Sequence, residues 1–268
     1  MKSVVILTAG ELRHDYFKIK FSSQKDIAVL KTYCDLPPRH RDPERGHAKN
    51  IESLHFASRH QVEKDFFEEY VGFSQDRSNS RYLARGAINE DEYIEEILSL
   101  NPDFIVAYGC CIIKSRLLKF FKNKIINVHL GLSPYYFGSG TNFHPFVTKE
   151  LGAIGCTFMY MDEGIDTGDI IHQVRAHIDP CDSIHQVGTR LIKKMTQEFI
   201  ELIRNMERLE AHRTKTDKVG KTYKRRDCTA ATIEEAYNNI REGVCLEYLK
   251  NKSDVDANFP LIRQSFLC

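Results

Sequence analysis

The sequence lacks the features that mark several common classes of protein. Its 268 residues carry a formal net charge of only +1, so no excess of one sign draws the chain onto nucleic acid or an anionic membrane. No apolar run is long enough to cross a bilayer, and the run at the N-terminus is shorter than a signal peptide requires. These absences lead us to expect a cytoplasmic protein.

Motifs for metal and dinucleotide binding are also missing. The eight cysteines form no C-x-x-C pair and there is no H-E-x-x-H, so no zinc site is expected. Scattered cysteines in a chain of this length indicate reduced thiols. The apolar run at 3–8 is followed by a single glycine where a dinucleotide site needs several, so a nicotinamide cofactor is not expected.

What is present is the composition of a globular protein, with 42% hydrophobic residues and enough length to bury a substantial core. The length fits a large domain with a small appendage. We therefore predict a catalytic core over residues 1–205 and a C-terminal extension over 206–268. No internal repeat divides the chain further.

Short apolar, β-branched runs alternate with helical patterns through the first 130 residues, which predicts an α/β fold with a mainly parallel sheet. The predicted strands are 3–8, 26–34, 103–109 and 124–130, and the predicted helices are 12–22, 51–72, 90–100 and 115–121. Further along, the predictions are a loop at 35–50, a polar stretch at 74–91, a hairpin of 153–162 with 168–178, a helix at 183–207, a short strand near 221–225 and a helix near 232–250.

The most informative segment is N-V-H-L-G-L-S-P-Y-Y-F-G-S-G-T-N-F-H-P-F, residues 127–146. In an extended strand residues i and i+2 share a face, so Asn127 and His129 project together while Val128 points into packing. Open α/β sheets bind ligands at the carboxyl ends of their parallel strands. The pair therefore marks a candidate site.

The strand ending in N-x-H, the Ser133-Pro134 pair after it and the later acidic turn at 161–171 resemble the folate-dependent formyltransferase family. The matching positions are Asn127, His129 and Asp166, the aspartate lying 166 − 129 = 37 residues after the histidine, with room for a helix and a strand between them. The resemblance covers roughly residues 1–205. It implies a Rossmann-like formyltransferase core with a mainly parallel sheet, plus a small C-terminal α+β extension.

The resemblance also implies an activity, the transfer of a formyl group from N10-formyltetrahydrofolate, as co-substrate, to an amine. The amide of Asn127 would donate to the oxygen on which negative charge develops, without titrating. His129 would take the proton of the amine or polarise the oxygen, and the carboxylate of Asp166 would orient the imidazole.

By the same resemblance the pterin would lie between the loop after the preceding strand and the acidic turn. The two adjacent cysteines in that loop are interpreted as small packing residues rather than redox groups. The implied donor-binding residues are Tyr108, Gly109, Cys110, Cys111, Ile112, Ile113, Asp162 and Gly164.

The loop at 138–142, rich in glycine and hydroxyl groups, is most similar to that of the sugar N-formyltransferases, which act on nucleotide-linked amino sugars. Many relatives carry an arginine where Phe137 stands here, so Arg77, Arg85 and other cations are candidates to bind the phosphates instead. The predicted acceptor is a dTDP- or UDP-linked amino sugar. The predicted acceptor-binding residues are Arg13, His14, Arg81, Tyr135, Ser139, Gly140, Thr141 and Asn142.

Alternative functions stay open at this stage. They are formyl transfer to another small amine or to methionyl-tRNA, hydrolysis of formyltetrahydrofolate, and a non-catalytic binding protein on the same scaffold. The hydrolases carry a further domain ahead of the core, and a first strand that begins by residue 3 leaves no room for one. All three catalytic residue types are present, which argues against a non-catalytic binding protein. Residues 204–268 hold 13 Lys and Arg against 10 Asp and Glu, so nucleic acid is not an expected partner. A homodimer also stays open.

Overall fold

The computed structural model describes residues 1–36, 50–209 and 220–267. A seven-stranded sheet runs through the molecule in the order β3-β2-β1-β4-β5-β7-β8. The first five of these are parallel, and β7 and β8 are antiparallel additions beside β5. The strands are β1 (Lys2–Ala9), β2 (Ile27–Asp35), β3 (Ser80–Leu83), β4 (Phe104–Tyr108), β5 (Ile125–His129), β7 (Gly155–Tyr160) and β8 (Ile170–Arg175).

Helices cover both faces of this sheet. The long helix at Ile184–Arg204 begins with a capping box. Ser183 Oγ accepts the Gln186 backbone N–H at 3.2 Å, and Gln186 Oε1 accepts the Ser183 N–H at 2.9 Å. The helices are α1 (Leu12–Ser22), α2 (Ile51–Phe73), α3 (Asp91–Leu100), α4 (Ser115–Phe120), α5 (His144–Thr148), α6 (Ile184–Arg204), α7 (Ala230–Arg241), α8 (Val244–Lys250) and α9 (Lys252–Ala257).

The sheet separates two hydrophobic cores because alternate strand residues point to opposite faces. Val4 and Ile6 of β1 pack in the core that holds the aromatic side chains of α1, α2 and α6. Val5 and Leu7 pack in the core formed with α3 and α4. Burial on both faces explains why these strands read as continuous apolar runs rather than alternating ones.

A second, two-stranded sheet joins the C-terminal extension to the core. It pairs β6 (Tyr136–Gly138) in parallel with β9 (Lys221–Tyr223). Farther along the extension, Asn239 Nδ2 donates to the Phe146 carbonyl at 2.9 Å. The extension is therefore packed against the segment that follows β5.

The predicted α/β class, the mainly parallel sheet and the hairpin of 153–162 with 168–178 are confirmed. Residues 74–91, predicted only as a polar stretch, include the edge strand β3, which pairs with β2 on one side alone. The helix predicted near 232–250 is broken at Gly243, where φ is +88°. Residues 37–49 of the predicted loop lie outside the described residues.

Among the described residues no helix combines the length and apolar character that crossing a bilayer requires.

Candidate active site

His129 lies at the end of β5 with 7% of its surface exposed. Its Nδ1 is 3.2 Å from Asp166 Oδ2, and its Nε2 is 3.2 Å from the Tyr136 carbonyl oxygen. Both partners are acceptors, so both contacts become hydrogen bonds only when the ring carries two protons. The two contacts fix the orientation of the imidazole ring between the acidic turn and β6.

Asp166 is held in the acidic turn between β7 and β8, in the left-handed region with φ +56°. Its Oδ2 also accepts the Gly138 backbone N–H at 3.2 Å. Within the turn, Asp162 Oδ1 accepts the Gly164 N–H at 3.0 Å and the Thr167 hydroxyl at 2.9 Å. The carboxylate that faces His129 is therefore positioned by the turn and by β6.

Asn127 shares its strand face with His129 and lines a cleft between the loop after β4 and the acidic turn. None of the hydrogen bonds among the described residues engages its side chain, so the amide is left directed at the cleft. An amide donor fixed on a strand at a cleft wall can stabilise a developing oxyanion without a change of protonation. The sequence placed this residue correctly beside His129.

The chain after β5 turns back under His129. A Cβ atom on Gly131 would lie 2.5 Å from His129 Nε2 and 2.7 Å from Thr141 Cβ, so only glycine fits there. Thr157 Oγ1 donates to the Gly131 carbonyl at 2.7 Å and accepts the Ser133 N–H at 3.0 Å. These bonds hold the loop that leads into β6.

The cleft encloses about 170 Å³ between the loop after β4 and the acidic turn. Two apolar side chains on its walls, Ile112 and Ile165, are 71% and 58% exposed. Exposed apolar side chains beside backbone amides and a few polar groups are typical of small-molecule sites. The lining residues are Cys110, Cys111, Ile112, Ile113, Asn127, Met159, Tyr160, Met161, Asp162, Gly164, Ile165, Asp166, Thr167 and Gly168.

Six of the eight residues predicted to bind the donor line this cleft, whereas Tyr108 and Gly109 do not. The Tyr108 ring points to the opposite face of the sheet, with its centroid 4.8 Å from that of His14. A Cβ atom on Gly109 would meet His14 Nε2 at 2.6 Å, so this glycine also faces α1. Tyr108 is the last residue of β4, and Gly109 leaves the extended conformation at φ +67°, so the chain turns into the cleft only from Cys110 onward.

Asp35, which was not predicted as a site residue, holds the loop after β4 in place. Its Oδ2 accepts the Cys111 backbone N–H at 2.6 Å, and its Oδ1 accepts the Gly86 N–H at 3.2 Å. The carboxylate is 6% exposed. The only sign of this role in the sequence is that a polar residue ends an apolar strand.

The adjacent thiols are not activated. Burial raises the pKa of Cys110, and burial together with the carboxylate of Asp35 raises the pKa of Cys111 to about 11. A thiol needs a lowered pKa to act as a nucleophile near neutral pH. Both side chains therefore serve as neutral walls of the cleft.

The acceptor residues predicted in the loop after β6 follow Gly138, whose N–H contacts Asp166. Ser139 and Gly140 are exposed. Thr141 donates to the Leu130 carbonyl, and Asn142 Oδ1 accepts the Gly155 N–H at 3.0 Å, so these two side chains hold the loop in place. Ser139 and Gly140 thus form the exposed tip of the loop, whereas the side chains of Thr141 and Asn142 stabilise its base.

Tyr135 lies against the extension rather than in the cleft. Its ring meets Phe259 edge-on with the centroids 5.1 Å apart, and its hydroxyl approaches the Pro260 carbonyl at 3.5 Å. The prediction that it stacks on the acceptor has no support from this position.

The predicted cations near the first strands are engaged elsewhere. Arg13 is buried and binds both carboxylate oxygens of Glu63, at 3.0 and 3.1 Å. His14 lies beside it, and burial, with the charge of Arg13, lowers its pKa to about 4. Neither side chain lines the cleft.

Arg81 stands on the edge strand β3, four strands and roughly 19 Å from β5 at about 4.8 Å per strand. It pairs with Glu92 at 3.0 Å and Glu96 at 3.1 Å. Its distance from β5 and its two carboxylate partners place it away from the catalytic pair. No group of three or more potential metal ligands occurs within the described part of the chain.

Comparisons with known proteins agree with this geometry. A family model described as formyl transferase matches residues 1–203. The methionyl-tRNA formyltransferase of Finegoldia magna is 32% identical over 51% of this chain and 46% of its own length, and that of Bacillus velezensis is 33% identical over 56% and 50%. The chain thus spans about half the length of the relatives that it matches.

Solved structures show the same fold at low identity. A 4-N formyltransferase from Francisella tularensis is 20% identical, with a TM-score of 0.56 over 89% of this chain and 87% of its own. A phosphoribosylglycinamide formyltransferase from Streptococcus pneumoniae is 19% identical, with a TM-score of 0.52 over 77% and 99%.

Proposed function

Because the chain belongs to the formyl transferase family, we propose that it transfers the formyl group of N10-formyltetrahydrofolate to the amine of a nucleotide-linked amino sugar. The observation that carries formyl transfer is the contact of His129 with Asp166 beside Asn127, at the wall of one cleft. The family uses N10-formyltetrahydrofolate as its formyl donor.

The cleft fits the pterin of the donor. Ile112 and Ile165 offer apolar surface for a flat ring system, and the backbone between Cys110 and Ile113 offers hydrogen-bonding groups to its edge. Asp35 would hold that backbone in place through the Cys111 N–H. The donor, when bound there, supplies an activated formyl carbon next to Asn127.

The triad would act through charge and orientation. The reaction forms a bond between the acceptor nitrogen and the formyl carbon, breaks the bond from that carbon to N10, and moves one proton from the acceptor amine to N10. Asn127 would donate to the formyl oxygen as its negative charge grows. His129 would take the amine proton, and the Asp166 and Tyr136 acceptors would stabilise the charged ring.

Support for a nucleotide-linked acceptor comes from the exposed tip of the loop after β6, where Ser139 and Gly140 stand close to the catalytic pair. The described residues after 220 form short helices and one strand that pack on the core.

Methionyl-tRNA is the second candidate acceptor. The relatives at 32–33% identity are named for it, and their similarity to this chain covers about half of it. We favour the sugar acceptor because the loop after β6 resembles that of the sugar enzymes.

An assay of acceptors tests the proposal. With 10-formyltetrahydrofolate as donor, dTDP-, UDP- and GDP-linked 3-amino and 4-amino sugars are compared with glycinamide ribonucleotide, methionyl-tRNA and free amino acids. We expect one dTDP- or UDP-amino sugar to exceed every other class in kcat/KM by tenfold or more. A best substrate other than a nucleotide-linked amino sugar would refute the sugar acceptor and leave formyl transfer standing.

Donor binding is tested separately from turnover. A ligand selective for the folded state raises the melting temperature by mass action, so 5-formyl- and 10-formyltetrahydrofolate should both raise it. NAD serves as the control and should produce no shift. The absence of a shift with either folate would contradict the donor assignment.

A further inference from the structure

Four exposed cations of the extension lie close together in the chain. Lys221, Lys224, Arg225 and Arg226 are all exposed, and none forms an ion pair with any of the described residues. Other exposed arginines among the described residues also form no ion pair, so what distinguishes this run is its density of charge. Four cations within six residues create a local positive potential. We call residues 221–226 the basic strand segment.

The fold places this segment one strand away from the catalytic pair. In the register of the small sheet, Tyr136 is opposite Lys221 and Gly138 is opposite Tyr223. The same β6 residues contact the triad, because the Tyr136 carbonyl faces His129 and the Gly138 N–H reaches Asp166. Neighbouring strands lie about 4.8 Å apart, so the segment borders the acceptor side of the site.

Several contacts fix the segment in this position. The Tyr223 ring stacks on His144 with centroids 3.7 Å apart, and the Ser139 N–H donates to the Tyr223 carbonyl at 2.9 Å. The carboxylate of Asp227 is occupied by the Lys224 backbone N–H at 2.6 Å, in a cap of the turn that follows. A backbone held this way presents its cations without a large ordering cost on binding.

We propose that the basic strand segment binds the phosphates of the acceptor, supplying the cations that the loop after β6 lacks. Resting on the proposed function, this assigns to the extension the diphosphate of a nucleotide-linked substrate. Arginine and lysine bind phosphate oxygens through charge-assisted hydrogen bonds. The sugar amine, beyond the diphosphate, would then extend past the exposed Ser139 toward His129.

Direct binding measurements test this assignment without turnover. Calorimetry with dTDP, UDP and inorganic pyrophosphate, and with thymidine and uridine as phosphate-free probes, compares the wild-type protein with two variants. In the test variant the four cations of the segment become glutamine. In the control variant four exposed lysines elsewhere, unpaired among the described residues, become glutamine: Lys25, Lys119, Lys122 and Lys250.

We expect the test variant to bind dTDP or UDP at least tenfold more weakly than wild type, the control variant to bind it within about threefold, and the two nucleosides to bind all three proteins alike. Equal weakening in both variants, or undiminished binding by the test variant, would overturn the assignment. So would failure of the wild type to bind any phosphate probe. Formyl transfer, assayed independently, would be untouched by these outcomes.

Discussion

At the scale of single residues, the proposed chemistry rests on three side chains that are held in place in different ways. Asn127 and His129 are placed by the alternation of one strand, whereas Asp166 is brought to them by a turn in a left-handed conformation. Because Asp166 Oδ2 contacts both His129 and the Gly138 N–H, the carboxylate links the imidazole to β6. Replacing any one of the three side chains should therefore remove a different contact.

We predict that Asn127→Ala, His129→Asn and Asp166→Asn each lower kcat by at least about 100-fold, because each removes an oriented group that stabilises developing charge. The measurement is steady-state turnover with the best acceptor, beside melting curves that show each variant folded. Ile112→Val, on the cleft wall, is the control and should affect mainly the KM for the donor.

If the triad acts as a unit, the double variant of Asn127 and His129 should lose less than the product of the two single losses. A folded Asp166→Asn protein with near-normal turnover would rule out the proposed role of the carboxylate.

At the scale of elements, the three-residue strand β6 connects the catalytic core with the extension. One of its edges contacts His129 and Asp166, and the other pairs with β9. Gly138 stands at the crossing, in the left-handed region at φ +88°, where an added Cβ would lie 2.2 Å from the Tyr223 carbonyl oxygen. Distortion of this one strand should reach both the site and the extension.

Two glycine-to-alanine substitutions distinguish the cost of a left-handed backbone from the cost of a steric clash with β9. Gly138 and Gly243 share φ +88°, but nothing lies within 4 Å of a Cβ on Gly243. Gly243→Ala should cost about 1–2 kcal/mol, the strain of a left-handed alanine. Gly138→Ala should cost more than this and also lower kcat at least tenfold, because β9 must move away.

Denaturant unfolding and turnover measure the two effects on the same preparations. Equal destabilisation of the two variants with unchanged turnover in both would show that the pairing of β6 with β9 does not support the site.

At the scale of the whole molecule, the fold buries histidines in the neutral form. Burial lowers the pKa of His55, His144 and His172 to about 4 and that of His185 to about 3, and His14 behaves in the same way. His55 and His185 lie with centroids 4.5 Å apart. The Tyr237 hydroxyl from the extension is 3.2 Å from His55 Nδ1 and 3.4 Å from His185 Nε2, which joins α2, α6 and α7.

This burial predicts acid sensitivity. An unfolded histidine titrates near pH 6.5, so below that pH the unfolded chain binds more protons than the folded one. The stabilisation is complete above about pH 6.5 and is lost as the pH falls toward 4, by up to about 1.4 kcal/mol per pH unit for each histidine. The free energy of unfolding, measured from pH 7.5 to 4.5, should therefore fall steeply.

Replacing one buried histidine tests the cause. His185→Phe should reduce the slope of the unfolding free energy against pH, whereas His60→Gln, at an exposed position of α2, should leave it unchanged. An unchanged slope in His185→Phe would contradict a contribution from this histidine.

The sequence by itself determined the α/β class, the parallel strands and the placement of Asn127 beside His129, because hydrophobic periodicity and the two-residue repeat of a strand are local properties. It also identified the family through residues close together in the chain. The short edge strand at 80–83 was not predicted, because its partly exposed residues carry no continuous apolar pattern.

Only the tertiary structure decided which distant groups meet. It turned Tyr108 and Gly109 toward α1, paired Arg13 with Glu63, and recruited Asp35 to hold the Cys111 amide. It also brought β9 beside β6, across a separation of more than eighty residues. Such pairings follow from chain topology and from the need of buried charges and backbone groups for partners, which no local pattern of residues specifies.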